Sequence, residues 1–353
     1  MSAASQSVEI GASEAFDTER LKDYLRAHIP ALSGGITIRR FNGGQSNPTF
    51  LLDDDTGHAL VLRKKPGGPI HASAHQVERE YRILKALAPT GVPVPGIHLL
   101  CEDDAIVGTP FYVMDHVDGR IHRDTALPGL TPDARRAIYL SMAGTLGTLH
   151  GVDLAAAGLT DYGRPGDYFR RQIGRWGRQV AANAPADTRA LIAWLDDNVP
   201  PEHAPTIVHG DFRLENLIFA GDTAEILAVL DWELSTLGDP MADLAYNCLP
   251  FHLPGDLKGL GGIQGRDLAQ LGIPGEQDYV AAYCAATGRA AIPHWNFYLA
   301  FSLFRTSAIL QGVYERAQNA NAASADALEV GGNYARVAAI GLAIAHRPAI
   351  VAG

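Results

Sequence analysis

Behind Asp17, a residue type that caps helix N-termini, apolar positions return at helical spacing with Leu21 and Leu25 one turn apart. The residues before it carry no such period and are expected to be unstructured. The pattern then shortens. ITIRRF (36–41), TFLLDD (49–54) and ALVLRK (59–64) are short β-prone runs separated by the turn-rich NGGQSNP and DTGH, so three consecutive antiparallel strands are expected. Helical spacing resumes with Val77, Tyr81, Leu84 and Ala88, predicting a helix over 73–87 that PTGVPVPG terminates. Two further strands follow in IHLLC and FYVMDHV. Next, TPDARRAIYLSMAGTLGTLH predicts a helix with Thr131 as its cap and Pro132 at its first position. Strands reappear only in TIVH, NLIF and EILAVL. From Asp239 onward the chain reads as helices, in MADLAYNC, QDYVAAYCAATG, WNFYLAFSLFRTSAIL and YARVAAIGLAIA.

This order predicts an α+β chain of two lobes: a small strand-rich lobe over 1–115, a connection through Asp118 and Gly119, and a larger helical lobe over 116–353. With 353 residues and 47% hydrophobic content, the chain can bury more core than one average domain needs. A formal net charge of -10 leaves no global positive field for nucleic acid or an anionic membrane. Cys101, Cys248 and Cys284 are scattered without metal-ligand spacing and suit a reducing compartment as buried small hydrophobes. The first residues lack the basic-then-apolar order of a secretory signal, and VAAIGLAIA is too short to cross a bilayer. A cytoplasmic chain is expected, and no protein partner is readable from it.

The chemistry concentrates in HGDFRLENLIF, residues 209–219, where His209, Asp211 and Asn216 fall in a loop between two short strands. Asp231 follows at the end of another strand, in AVLDWE. Phosphoryl transfer needs a carboxylate beside the acceptor hydroxyl, and a triphosphate needs Mg²⁺ held by oxygen donors such as an amide and a second carboxylate. Asp, Gly and Asn are also ordinary turn residues, so the motif gains its weight from Asp231 and the strand context together. The pattern resembles the aminoglycoside phosphotransferase family, relatives of the eukaryotic protein kinases with the same two-lobed fold. The resemblance runs from about Phe41 to the last helix. VLRKKP, VEREYRILKAL, GVPVPGIHLLCEDD, FYVMDHVDG and VLDWELSTLGDPMADLAY are most similar to the kinase-like domain that some animals fuse to acyl-CoA dehydrogenases, and to its free-standing bacterial relatives.

The resemblance implies an ATP- and Mg²⁺-dependent transfer to a hydroxyl of a small molecule. In it Asp211 is the base, Asn216 and Asp231 are the metal ligands, and His209 braces the loop. Gly43, Gly44, Ser46 and Asn47 fall where the fold covers the phosphates. The phosphate-gripping cation aligns with Arg63, Lys65 being the fallback, and its carboxylate partner is Glu80, with Glu78 second. Backbone groups of Asp115, His116 and Val117 would meet the purine edge, with Met114 near the adenine. Arg213 either stabilises the transferred phosphate or pairs with Glu215, while Asp239 and Asp243 are expected to be structural. In DYFRRQIGRWGRQV, Arg171, Arg175 and Arg178 share one helical face near Trp176. Together with Arg305 they are expected to hold an anionic or acyl-carrying acceptor, such as a hydroxyacyl-coenzyme A; surface ion pairing is the other reading of them. The alternatives are a kinase of aminoglycosides or other small alcohols, and a catalytically silent nucleotide-binding module. A silent module is expected to lack the base, a metal ligand or the cation pair, and none is missing.

Overall fold

The computed structural model describes residues 7–8, 16–41, 47–67, 76–318, 326–348 and 351–353. The chain clusters into two compact units: Met1–Arg120 with Ile218–Gly221 and Leu227–Glu233, and Ile121–Leu217 with Asp222–Ile226 and Leu234–Gly353.

The first unit holds β1 (Ser7–Val8), α1 (Thr18–His28), β2 (Ile36–Phe41), β3 (Thr49–Asp54), β4 (Ala59–Lys64), α2 (Val77–Leu87), β5 (Ile97–Cys101), α3 (Asp104–Val107) and β6 (Phe111–Asp115). Its sheet runs β1-β2-β3-β4-β6-β5 with every pair antiparallel. Strand alternation divides the side chains between two faces. Phe50, Leu52, Leu60, Leu62, Phe111 and Val113 form one core with Leu21 and Leu25 of α1. Arg63, opposite Thr49 and Tyr112 in the ladder, therefore points to the other face. The cap of α1 is as expected, the Asp17 carboxylate accepting from the Arg20 N–H at 3.0 Å.

Three details differ from the sequence expectations. Ser7 and Val8 pair with Phe41 and Arg40, although two residues are too few to show any period. Helix α2 begins at Val77, the earlier part of its expected span lying outside the described residues. The first unit also runs past Asp115 to Arg120 and takes in two later segments. Backbone bonding explains that, since Arg120 and Phe219 exchange N–H···O bonds of 2.8 Å each and the Val229 N–H donates to the Pro93 carbonyl at 2.8 Å.

The second unit contributes α4 (Pro132–His150), α5 (Tyr168–Val180), α6 (Ala186–Asp197) and β7 (Thr206–Val208). Next in the chain come β8 (Leu217–Phe219) and β9 (Ile226–Val229), a ribbon most of whose residues belong to the first unit, and then β10 (Thr236–Gly238) of the second unit, which pairs with β7. The remaining helices are α7 (Met241–Asn247), α8 (Leu268–Leu271), α9 (Glu276–Thr287), α10 (Trp295–Gln318), α11 (Ala327–Gly331) and α12 (Tyr334–Ala345). Thr131 caps α4, its hydroxyl accepting from the Ala134 N–H at 3.2 Å. Helix α10 is buried on all sides along most of its length, as a central helix must be, and packs against α5, α6, α7, α11 and α12. α6 and β10 carry no strong sequence signal: α6 buries only Thr188, Leu191 and Leu195, and β10 has three residues. All three cysteines are buried and free. Among the described residues no helix is long and apolar enough to cross a membrane.

Candidate active site

In the first unit the chemistry gathers around Arg63. Its Nε lies 2.8 Å from Glu80 Oε2, and one Nη lies 2.7 Å from Asp231 Oδ1 and 3.7 Å from Glu233 Oε2. Glu80 is also gripped by two neutral donors, the Asn47 amide at 2.7 Å and the Tyr112 hydroxyl at 3.1 Å. Burial pushes the Glu80 carboxyl up to about 7, against the pull of Arg63. Burial also works against the Arg63 charge, but Glu80, Tyr112, Asp231 and Glu233 together hold the guanidinium above its usual range. Three carboxylates thus surround one cation. Asp231 sits in the left-handed region at φ 65°, which Asp tolerates better than most residues.

Both alternatives for the cation pair form at once. Arg63 pairs with Glu80 while Lys65, one turn of alternation further out, pairs with Glu78 at 2.9 Å. Asn47 departs from expectation: it is wholly buried with its amide committed to Glu80, so it supports the ion pair instead of offering a donor to phosphate. Gly43, Gly44 and Ser46 lie outside the described residues. At the end of β6, the Asp115 N–H donates to the Gly96 carbonyl at 2.8 Å and the His116 N–H to the Ala59 carbonyl at 3.3 Å. Those two donors are spent within the sheet, and Val117 is the first residue past its ladder. Met114 lies opposite Val61 on the same face as Arg63.

In the second unit, β7 leads into the loop of residues 209–216. His209 is fully buried, and the N–H groups of His209 and Gly210 both donate to the Asp243 carboxylate, at 2.5 and 2.8 Å. Asp243 is wholly enclosed, which opposes its charge. The hydrogen bond and charge of His150, then His209 and the Gly210 N–H, nonetheless hold its carboxyl below the usual range. The structural role expected of Asp243 is therefore that of a clamp on the loop backbone. Gly210 adopts φ 85°, and a Cβ there would come within 2.8 Å of the Leu234 carbonyl, so the turn admits only glycine without rearrangement. His209 braces the loop as expected, its Nδ1 accepting from the Asp211 N–H at 3.1 Å.

Each oxygen of Asp211 has its own donor. Oδ1 accepts from the Tyr246 hydroxyl at 2.6 Å and Oδ2 from the Asn216 amide at 2.9 Å, which also reaches the Asp211 carbonyl at 2.9 Å. The Asn216 amide nitrogen being so used, its oxygen remains as the acceptor that a cation would take. Arg213 makes the expected pair with Glu215, Nη1 lying 2.9 Å from it, and its Nε also lies 3.4 Å from Asp211, a contact the sequence did not suggest. Arg305 differs from expectation. It donates to the Gly210 carbonyl at 2.6 Å and lies 5.5 Å over the Tyr246 ring, bracing the loop instead of waiting for an acceptor.

Beside this loop, within the second unit, lies a cavity of about 340 Å³ walled by Arg123, Asp124, Arg213, Tyr246, Lys258 and Arg266 among others. Lys258 is tethered to Asp326 and Glu329 at 3.2 and 2.8 Å. Arg171, Arg175 and Arg178 are not part of that wall. Arg171 donates to the Arg164 and Pro165 carbonyls, Arg175 lies over Trp176, and Arg178 is exposed. Tyr246, Arg123 and Arg266 were not singled out in the sequence. Tyr246 alone had a local signal, an aromatic three residues after Asp243 on one short helix.

The profile of the phosphotransferase enzyme family matches residues 37–292. Acyl-CoA dehydrogenase family member 10 of Mus musculus is 48% identical over 322 residues, which cover 90% of this chain and 30% of that protein. Acyl-CoA dehydrogenase family member 11 of Gallus gallus is 43% identical over 357 residues, covering 96% of this chain and 45% of that protein. The chain thus spans less than half the length of these curated relatives. Among solved structures, a candidate aminoglycoside phosphotransferase from Ralstonia eutropha aligns with a TM-score of 0.86 and 44% identity, covering 94% of this chain and 98% of that one.

Proposed function

The chain belongs to the phosphotransferase enzyme family, and from that premise we propose that it moves the γ-phosphoryl group of ATP, taken with Mg²⁺, onto a hydroxyl of an anionic or acyl-carrying small molecule. The observation that carries this reading is the Asp211 carboxylate, fixed through both oxygens in a loop whose backbone is itself clamped. A carboxylate so held can orient an acceptor hydroxyl and take its proton as the oxygen attacks phosphorus. Arg213, 3.4 Å from it, can offset charge on the transferred group. Arg63 is the cation for the α- and β-phosphates. Val117 offers the hinge N–H for the purine, the Asp115 and His116 carbonyls accepting alongside it.

Asn216 and Asp231 would hold the Mg²⁺, and their chemistry suits it. Both supply hard oxygen donors, and the excess of carboxylate around Arg63 favours a divalent cation. When bound, the ion neutralises phosphate charge and orients the triphosphate. Mg²⁺-ATP should bind Asp231→Asn about tenfold or more weakly than the unaltered chain, with metal-free ATP affected far less, as calorimetry reads. Equal losses in both titrations would remove Asp231 from the metal site.

For the acceptor, a hydroxyacyl-coenzyme A thioester is the reading favoured. Its support is the balance of charge on the cavity wall, where Arg123, Arg213 and Arg266 outnumber Asp124 and Glu215, Lys258 being engaged by Asp326 and Glu329; an aminoglycoside is a polycation and would need an excess of carboxylate. The resemblance to the acyl-CoA dehydrogenase relatives leans the same way. Turnover of Mg²⁺-ATP against a panel of hydroxyacyl-coenzyme A esters and aminoglycosides tests it, with alanine variants of Arg123 and Arg266 beside those of Arg171, Arg175 and Arg178. Phosphorylation of kanamycin-type compounds without response to any thioester would overturn the acceptor while leaving the kinase reading standing.

A further inference from the structure

We propose that Tyr246 is a positioning residue for phosphoryl transfer, its hydroxyl and the Asn216 amide together fixing the plane of the Asp211 carboxylate, with Arg305 as its brace. The inference rests on the reading that Asp211 takes the acceptor proton. A carboxylate held through one oxygen can still turn about its Cβ–Cγ bond, so Asn216 alone leaves the orientation of the other oxygen open. Tyr246 closes it at 2.6 Å, and from a different element, since Asn216 belongs to the loop and Tyr246 to α7. The ring is steadied in turn by Arg305 from α10, 5.5 Å over it, and the same guanidinium grips the Gly210 carbonyl at 2.6 Å. Loop, α7 and α10 are thereby locked to one another through two side chains.

Tyr246 also walls the acceptor cavity, so the group that orients the base stands where an acceptor must arrive. It is not itself a base. Burial, reinforced by the Asp211 charge, pushes the phenol well above its usual range, so the hydroxyl keeps its proton and remains a donor. Asn247, the next residue, donates to the Phe212 carbonyl at 2.9 Å, and α7 thus supports the segment after the base as well. Holding a reacting group in register matters at the scale of ~1 Å, where a displacement costs on the order of 100-fold in rate.

The test compares Tyr246→Phe, which keeps the ring beneath Arg305 and deletes only the hydroxyl, with Asp211→Asn in the full chain. The probe is phosphate release from Mg²⁺-ATP with water as acceptor. Tyr246→Phe should lower kcat about 10- to 100-fold while the KM for Mg²⁺-ATP stays within about twofold. Arg305→Lys should recover more of kcat than Arg305→Met, because it keeps a donor to Gly210. A kcat within twofold in Tyr246→Phe, with Asp211→Asn inactive, would overturn the positioning role and leave the base. A fall in kcat fully accounted for by a smaller folded fraction would reduce Tyr246 to a packing residue and overturn it too. Full turnover in Asp211→Asn would remove the base and this inference with it. Independently of turnover, urea unfolding of Tyr246→Phe, Asp211→Asn and the double variant should be less than additive; strict additivity would deny the hydrogen bond and the inference.

Discussion

Around Arg63 three carboxylates converge on one guanidinium, whereas around Asp211 a carboxylate of the same chemistry is held chiefly by neutral donors and a clamped backbone. The first arrangement is charged and buried, with the Arg63 side chain 12% exposed, and three carboxylates facing one cation leave it an excess of negative charge. The second has little freedom: the Asp243 clamp, Gly210 and the donors on Asp211 each fix a different atom. On the function proposed above, the region that receives the nucleotide is set by charge and the region that supplies the base is set by geometry. That difference can be tested one side chain at a time.

The largest effect should come from the rigid side. Asp211→Asn should cut transfer by ~10²–10⁴-fold while calorimetry finds Mg²⁺-ATP binding unchanged, because proton acceptance is lost and no phosphate contact is. Next comes the charged cluster. Arg63→Ala strands Glu80 in a buried site beside Asp231 and Glu233 and should cost about 3–5 kcal/mol in denaturant unfolding, where Arg63→Ala with Glu80→Ala together should cost less than the sum. If that variant unfolds like the native chain, the contrast between the two regions fails.

Sharpening the contrast on the loop side needs acid. Asp243 keeps its carboxyl below the usual range in the folded chain, so its charge contributes stability above the unfolded value near pH 4 and loses that contribution as pH falls through the lower folded value. Asp243→Asn should cost on the order of 1–3 kcal/mol near neutrality and show a flatter fall below about pH 4 than the native chain, as thermal melts across pH read directly. The smallest effect belongs to Lys65→Ala. Its pair with Glu78 is a quarter to a third exposed and should be worth at most about 1 kcal/mol, with little change in nucleotide affinity. A larger loss from Lys65→Ala than from Arg63→Ala would move the phosphate-gripping role outward.

Sequence reading reached what local pattern encodes. The strands around Arg63 and the caps Asp17 and Thr131 follow from neighbours within a few positions, as does the spacing of Asp211 and Asn216. It missed what depends on distant apposition. Asn47 and Glu80 meet across 33 positions, Tyr246 and Asp211 across 35, and Arg305 reaches Gly210 across 95. Nothing in a run of residues announces such a partner, and the structure adds intramolecular bonds for Asn47 and Arg305 that their local sequence does not suggest. The arginines of α5 show the converse error of emphasis: their helical spacing is real, but spacing on one helix does not say which cavity the face adjoins.

Asp231 carries a further consequence through its backbone at φ 65°. A fully randomised library at this position would be filtered twice, once by the left-handed conformation and once by the demand for an anionic oxygen. Asp, Asn and Gly pass the first filter easily, while Glu, the substitution that keeps the charge, meets a penalty of about 1–2 kcal/mol and β-branched residues fare worse. Only Asp passes both. On the metal role proposed for Asp231 and Asn216, attempts to retune metal preference by lengthening the Asp231 carboxylate will therefore meet the main chain before they meet the ion, and Asn216, free of that conformational demand, is the better place to begin.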